Sequence, residues 1–137
     1  MADVFQLEVA TPERLLVDEQ VSEAELPGKN GYLGILAGHA PLLSALGAGV
    51  LTYAGAGGPH KLVIAGGFVE VFDNHVRVLA DHAELPEDID TNQARQDLEQ
   101  ANEALRTADS EAASEAALQA AQHAQARLDG AGRSTGG

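Results

Sequence analysis

Residues 79–98 read LADHAELPEDIDTNQARQDL, and within this stretch, at Pro86, the chain changes character. All five prolines (12, 27, 41, 59, 86), all five aromatic residues and eleven of the fifteen glycines lie in residues 1–86. From Ile89 to Asp129 there is no glycine, proline or aromatic residue, and alanine fills 12 of 41 positions, with Glu, Gln, Asp and Leu making up most of the rest. That is the composition of helix. The charge does not follow this division: residues 1–86 carry −7 and residues 87–137 carry −6 of the total of −13.

Towards the N-terminus, apolar residues alternate or run in short bursts: Phe5, Leu7 and Val9, then Leu15–Val17, Val21, Leu26, Val50–Tyr53, Leu62–Ala65, Phe68–Phe72 and Val76–Leu79. Turn signals separate them at Pro27–Gly31, Gly55–Pro59 and Asp73-Asn74. This spacing predicts eight to ten short strands in a sandwich or barrel. Gly66-Gly67, between two apolar bursts, predicts a bulge or tight connection.

Towards the C-terminus, Ala94, Leu98, Ala101, Leu105 and Ala108 recur at helical spacing, as do Ala117, Ala121, Ala124 and Leu128. Thr107–Ser110 between the two stripes predicts a turn, with Asp109 or Ser110 as N-cap and Gly130 closing the second helix. The chain therefore divides into a β domain over residues 1–86, an antiparallel two-helix hairpin over 87–129 and a disordered tail over 130–137. The large apolar side chains of the hairpin are only Ile89, Leu98, Leu105, Leu118 and Leu128. Each contributes roughly 1.5–3 kcal/mol if fully buried, too little to order some 40 residues, so the hairpin is expected to be marginal unless it docks on another surface.

A length of 137 residues allows one domain and a small appendage. A net charge of −13 sets the chain against phosphate backbones and anionic lipid, which argues against nucleic-acid binding. Without cysteine there is no thiolate metal site and no cysteine nucleophile. The N-terminus lacks the pattern of a signal peptide and no 18-residue uncharged apolar run occurs, so the expectation is a cytosolic or stromal protein that does not insert in a membrane.

The five histidines (39, 60, 75, 82, 123) form no HExxH and no close pair on one helix, so no metal site is expected. Ser44 sits among apolar residues rather than in a GxSxG elbow, and Gly55–Gly58 leads into Pro59-His60-Lys61 without the GK[ST] order of a phosphate loop. Glu23 and Glu25 read as a solvated strand face. No catalytic residue and no cofactor are expected. Residues 26–46, LPGKNGYLGILAGHAPLLSAL, crowd four glycines and a histidine among apolar residues. They read either as interlocked turns or as a rigid loop pair whose tips meet a partner.

Three stretches resemble one family. They are Leu26-Pro27-Gly28 with Gly31-Tyr32-Leu33-Gly34-Ile35-Leu36-Ala37-Gly38-His39-Ala40-Pro41-Leu42-Leu43; Gly66-Gly67-Phe68-Val69-Glu70-Val71; and Val78-Leu79-Ala80-Asp81-His82-Ala83-Glu84. In register along residues 3–86, they are similar to the ε subunit of bacterial F-type ATP synthases, called δ in mitochondria. The resemblance implies a mostly β plus α fold, a flattened ten-stranded β-sandwich followed by the helical hairpin, at the foot of the central stalk. It implies a non-catalytic rotor subunit that couples c-ring rotation to catalysis through γ, on the cytoplasmic face of the bacterial inner membrane. The polar loops of the c-ring and the γ subunit would meet Lys29, Asn30, Gly31, Tyr32 and Leu33, with His39 close by.

The second half departs from the family pattern. Members that bind ATP read I-D-x-x-R-A at the start of the first helix, whereas Gln93 here follows Ile89-Asp90-Thr91-Asn92 in the place of the arginine. Arg95 lies about 200° around the helix from that position. Ile89, Asp90 and Arg127 are the residues left to hold a nucleotide. An extended hairpin would meet the β subunits, but residues 88–129 hold 9 acidic and 3 basic residues, so weak inhibition or docking mainly on γ is expected. The competing reading is a free-standing small-ligand or nucleotide sensor in which the hairpin closes on a molecule held by the sandwich.

Overall fold

The computed structural model describes residues 3–131. Eight strands come first: β1 (Phe5–Ala10), β2 (Leu15–Val21), β3 (Glu23–Gly28), β4 (Gly31–Leu36), β5 (Leu42–Ala45), β6 (Ala48–Gly55), β7 (Gly58–Phe72) and β8 (His75–Glu84). A 3-10 turn at Pro86–Asp88 leads into helices α1 (Thr91–Thr107) and α2 (Glu111–Ala131). The strands run in the order β2-β1-β8-β7-β6-β3-β4, with β5 also paired to β7. Among the described residues only the β1–β8 pair is parallel.

The count of ten strands is corrected to eight, because β7 runs without a break through the two glycines expected to interrupt it. Its first half pairs with β6 up to Ala65, its second half pairs with β5 from Phe68, and β8 lies along both halves in unbroken register. Gly66 (φ +77) and Gly67 (φ +116) make the corner. Backbone in this region is open to glycine and strained for other residues. The corner also exchanges the faces of the strand: Leu62 and Ile64 point into the core before it, and Val69 and Val71 after it. One curled sheet thereby closes on itself as two layers. Across the mouth, Glu19 on β2 accepts from Tyr53 (3.4 Å) and from the Ala56 amide (3.3 Å). Burial first, and then the Glu19 carboxylate, push the Tyr53 hydroxyl above its usual range.

The core between the layers is built from alternating residues, among them Leu7, Val9, Leu26, Ile35, Leu51, Leu62, Ile64, Val76 and Val78, all fully buried. Each such side chain contributes roughly 1.5–3 kcal/mol. The Asp73-Asn74 turn holds both residues at positive φ (53° and 62°), the hairpin geometry that suits Asp and Asn.

Neither helix supplies a residue to this core. Asp90 caps α1 by accepting from the Gln93 amide (3.0 Å), and Ser110 caps α2 by accepting from the Ala113 amide (3.0 Å). The expected stripes meet through Ala94 and Ala101 on α1 and Ala117 and Ala124 on α2. Helix α2 lies on β6 and β7, and α1 packs on α2.

Gly130 does not close α2, which continues through Ala131. A Cβ at Gly130 would stand 2.2 Å from Val63 Cγ2, so this glycine is where the helix seats closely on the sheet. The tail expected at 130–137 thus loses its first two residues to the helix, and the rest of it lies outside the described residues.

Candidate functional site

The residues singled out in the first half occupy two ends of one face. Gly28 and Gly31 pair across a two-residue turn, Lys29-Asn30, where a Cβ at Gly28 would lie 2.5 Å from the Gly31 carbonyl oxygen. The turn is tied to the end of β5 by the Lys29 amide, which donates to the Ala45 carbonyl (3.0 Å). Tyr32 is 53 % exposed, yet its hydroxyl accepts from the Val50 amide (3.0 Å). This contact needs Gly49, whose Cβ would stand 2.4 Å from the Tyr32 hydroxyl. Lys29, Asn30 and Gly31 are exposed and Leu33 is half-buried against the core.

His39 is not close to this turn. It follows β4 at the strand's other end, about 17 Å away along the chain direction. There His39 Nδ1 donates to the Ala40 carbonyl (2.7 Å). Asn74 clamps the same corner by accepting from the Gly38 amide (2.8 Å) and donating to the Val4 carbonyl (2.7 Å).

Between these two ends lies the outer face of β5, the second half of β7 and β8. It presents Leu43 (74 % exposed), Phe68 (57 %), Phe72 (64 %) and Leu79 (52 %). Phe68 pairs with Leu79 on one side and Ala45 on the other, and Leu43 pairs with Glu70. A polar ladder crosses the patch: Arg77 lies 3.8 Å from Glu70 and donates to Glu8 at 3.0 Å, while His75 is 3.2 Å from Glu8. The hydrogen bond from Arg77, then the neighbouring His75, holds the Glu8 carboxyl below its usual range. Large apolar side chains rimmed by ordered charges mark a surface for another protein. Sequence reasoning named the two ends of this face and missed its middle. The signal was there in Phe68–Phe72, whose two phenylalanines share one strand face while Val69 and Val71 share the other.

The second group of candidates does not assemble. Asp90 spends its carboxylate as a helix cap and Ile89 is half-buried in the connection. Arg127, 17 % exposed, forms a two-pronged ion pair with Glu84 on β8 (2.7 and 3.0 Å) and approaches Asp97 on α1 at 3.7 Å. Asp97 is seven residues, about 10 Å of helix, beyond Asp90. Gln93 donates to Asp97 (2.9 Å), the carboxylate that Arg127 also approaches, while Arg95 is turned aside to Asn92 (2.6 Å). Among the described residues no group of three or more His, Asp or Glu is arranged to hold a metal ion. No helix among them is long and apolar enough to cross a membrane.

A curled β-sandwich with an apolar outer face, clamped to an alanine-rich helical hairpin, defines a class of protein that works by contact. Residues 4–86 match the model of the ATP synthase delta/epsilon chain β-sandwich domain. The ATP synthase epsilon chain of Solibacter usitatus is 52 % identical over 129 residues, covering 93 % of this chain and 96 % of that one. That of Koribacter versatilis is 44 % identical over 107 residues, covering 78 % and 75 %. A chain in the cryo-EM structure of the Euglena gracilis mitochondrial ATP synthase, OSCP/F1/c-ring in rotational state 1, superposes with a TM-score of 0.79 at 26 % identity, over 94 % of this chain and 81 % of that one. The chain belongs to the ATP synthase delta/epsilon family.

Proposed function

We propose that this chain couples rotation of the c-ring to catalysis by gripping the γ subunit with the outer face of β5, β7 and β8, its Lys29–Leu33 turn reaching the polar loops of the ring. Membership of the family makes it a non-catalytic subunit of an ATP synthase, in the central stalk. The observation that carries the proposal is the patch of Leu43, Phe68, Phe72 and Leu79, exposed on a rigid sheet and flanked at both ends by turns held with backbone hydrogen bonds. Torque needs a contact that does not yield, and both turns are braced against neighbouring strands. The subunit works on this reading as a peripheral protein on the cytoplasmic face of a bacterial inner membrane. The hairpin regulates hydrolysis weakly, because an excess of acidic residues gives it a poor match for acidic surfaces on the β subunits.

The test adds purified protein to an ATP synthase core depleted of this subunit, from the same source, and records binding and ATP hydrolysis. Full-length protein and residues 1–87 both bind, and a difference in rate between them assigns regulation to the hairpin. Phe68→Asp lowers affinity for the γ-containing core by about 30-fold or more, the scale of one interface hot spot. If neither version binds, the coupling role is wrong and the free-standing sensor takes its place.

A further inference from the structure

We propose that His82 and His123 form a pH-sensitive latch that holds α2 on the sandwich while both rings are neutral and lets it go when both take up protons. The two imidazoles, one from β8 and one from α2, stack with centroids 5.1 Å apart and planes 26° from parallel. They come together because β8, like β7, exchanges its faces at the corner. Val76, Val78 and Ala80 point into the core, whereas His82 and Glu84 point out towards α2, beside Ala65 and Val63. Neutral rings at this spacing attract, and two imidazolium ions in the same place repel.

Repulsion between the rings makes the second proton the decisive one. Glu84 comes from β8, Arg127 from α2 and Asp97 from α1, leaving one negative charge in excess beside the rings. Glu13, Arg14 and Asp81 line the outer rim of the same cleft of about 300 Å³, and Arg14 is already 3.8 Å from Asp88. The rim of the cleft adds a further negative charge, so what opposes the second proton is the repulsion between two charged rings 5.1 Å apart and not an excess of positive charge around them. Gln100 on α1 is the polar neighbour on the other side, and β6 and β7 meet α2 with Val50 and Val63.

Burial first, then the neighbouring His82 and Arg127, hold the His123 imidazole below its usual range against the pull of Glu84 and Asp97. A histidine whose folded pKa is depressed binds more protons once released. Its contribution to docking is therefore complete above the ordinary imidazole value of 6.5 and is lost as pH falls below it through the docked value. The loss matters because, beside the Arg127–Glu84 ion pair, α2 seats on the sandwich through small residues, Ala126 and Gly130. The latch needs only the docked hairpin and stands independently of the coupling role.

The absence of cysteine allows paired spin labels at Ser22→Cys and Gln119→Cys, exposed positions on the sandwich and on α2, in the full-length protein. Between about pH 8 and 5.5 carboxylates stay ionised while imidazoles titrate. A longer-distance population is expected to grow over this range, the ratio of released to docked hairpin rising by up to about tenfold per pH unit for each proton taken up. His82→Phe with His123→Phe keeps a stacked pair without charge and is expected to abolish the change. A distance distribution that ignores pH in the parent protein overturns the latch, as does an unchanged response in the double variant. The imidazole C2–H resonances of the unlabelled parent give a readout that needs no variant: His123 titrates below 6.5 if the latch exists, and titration at or above that value refutes it.

Discussion

Gly67→Ala is expected to destabilise the sandwich by about 3–5 kcal/mol, a large effect for a single methyl group. Two costs coincide at this position. The backbone φ of +116° is strained for any residue with a Cβ, and that Cβ would lie 2.1 Å from the Leu79 carbonyl oxygen and 2.8 Å from Ala80 Cα. Both obstacles are backbone atoms of the adjacent strand, so no side chain can rotate away. Relief requires β7 and β8 to separate at the corner where the sheet passes from one layer to the other.

Gly57→Ala is the matched control, since its φ of +81° is also unfavourable but nothing lies within 4 Å of the added Cβ. It should cost only about 1–2 kcal/mol. Urea unfolding followed by far-UV circular dichroism measures both. Equal losses would show that backbone strain alone sets the cost and that the corner has room to open.

Arg127→Ala is expected to free the hairpin from the sandwich while leaving the β-core intact. Arg127 alone joins three elements, reaching Glu84 on β8 through two hydrogen bonds and Asp97 on α1 from its place on α2. Removing it leaves the partly exposed carboxylates of Glu84 and Asp97 without their cation. Breaking a fully buried pair costs about 3–5 kcal/mol; with this partial exposure about 2 kcal/mol is expected, a roughly 30-fold rise in the undocked fraction. Limited proteolysis within residues 85–90 should accelerate accordingly, with the urea transition of the sandwich unchanged. Arg127→Lys restores a charge but not the fork, and should recover only part of the protection. An unchanged cleavage rate in Arg127→Ala would mean that the alanine and glycine contacts of α2 suffice to hold it. The same variant removes one cause of the low His123 pKa, which should therefore rise.

Much of this molecule is legible in its residues because it rests on local rules. Alternation marks Phe5, Leu7 and Val9 as one strand face, Asp73-Asn74 announces its turn, and alanine stripes with a Ser110 cap announce the helices. The ends of the exposed apolar face could be named from their glycines. Its middle was marked only by the strand face that Phe68 and Phe72 share, and an exposed phenylalanine reads like a buried one until the facing layer is known. The run Leu62–Ala65 carried a further clue: a strand apolar on both faces is covered on both. Leu62 and Ile64 do face the core, and Val63 and Ala65 lie under α2.

Composition and periodicity by themselves determined the division at Pro86, the strand and helix classes, most turns and the acidic, cysteine-free character that excludes whole classes of chemistry. These properties depend on neighbours within a few positions along the chain. Only the tertiary structure decided that Gly66-Gly67 bends a continuous strand rather than ending it, and that His39 stands a strand's length from Lys29. It also decided that Gly130 seats a helix instead of stopping it, and that His82 meets His123. Each of these turns on which residues distant in sequence occupy the same space, and close packing between layers, not local propensity, sets that.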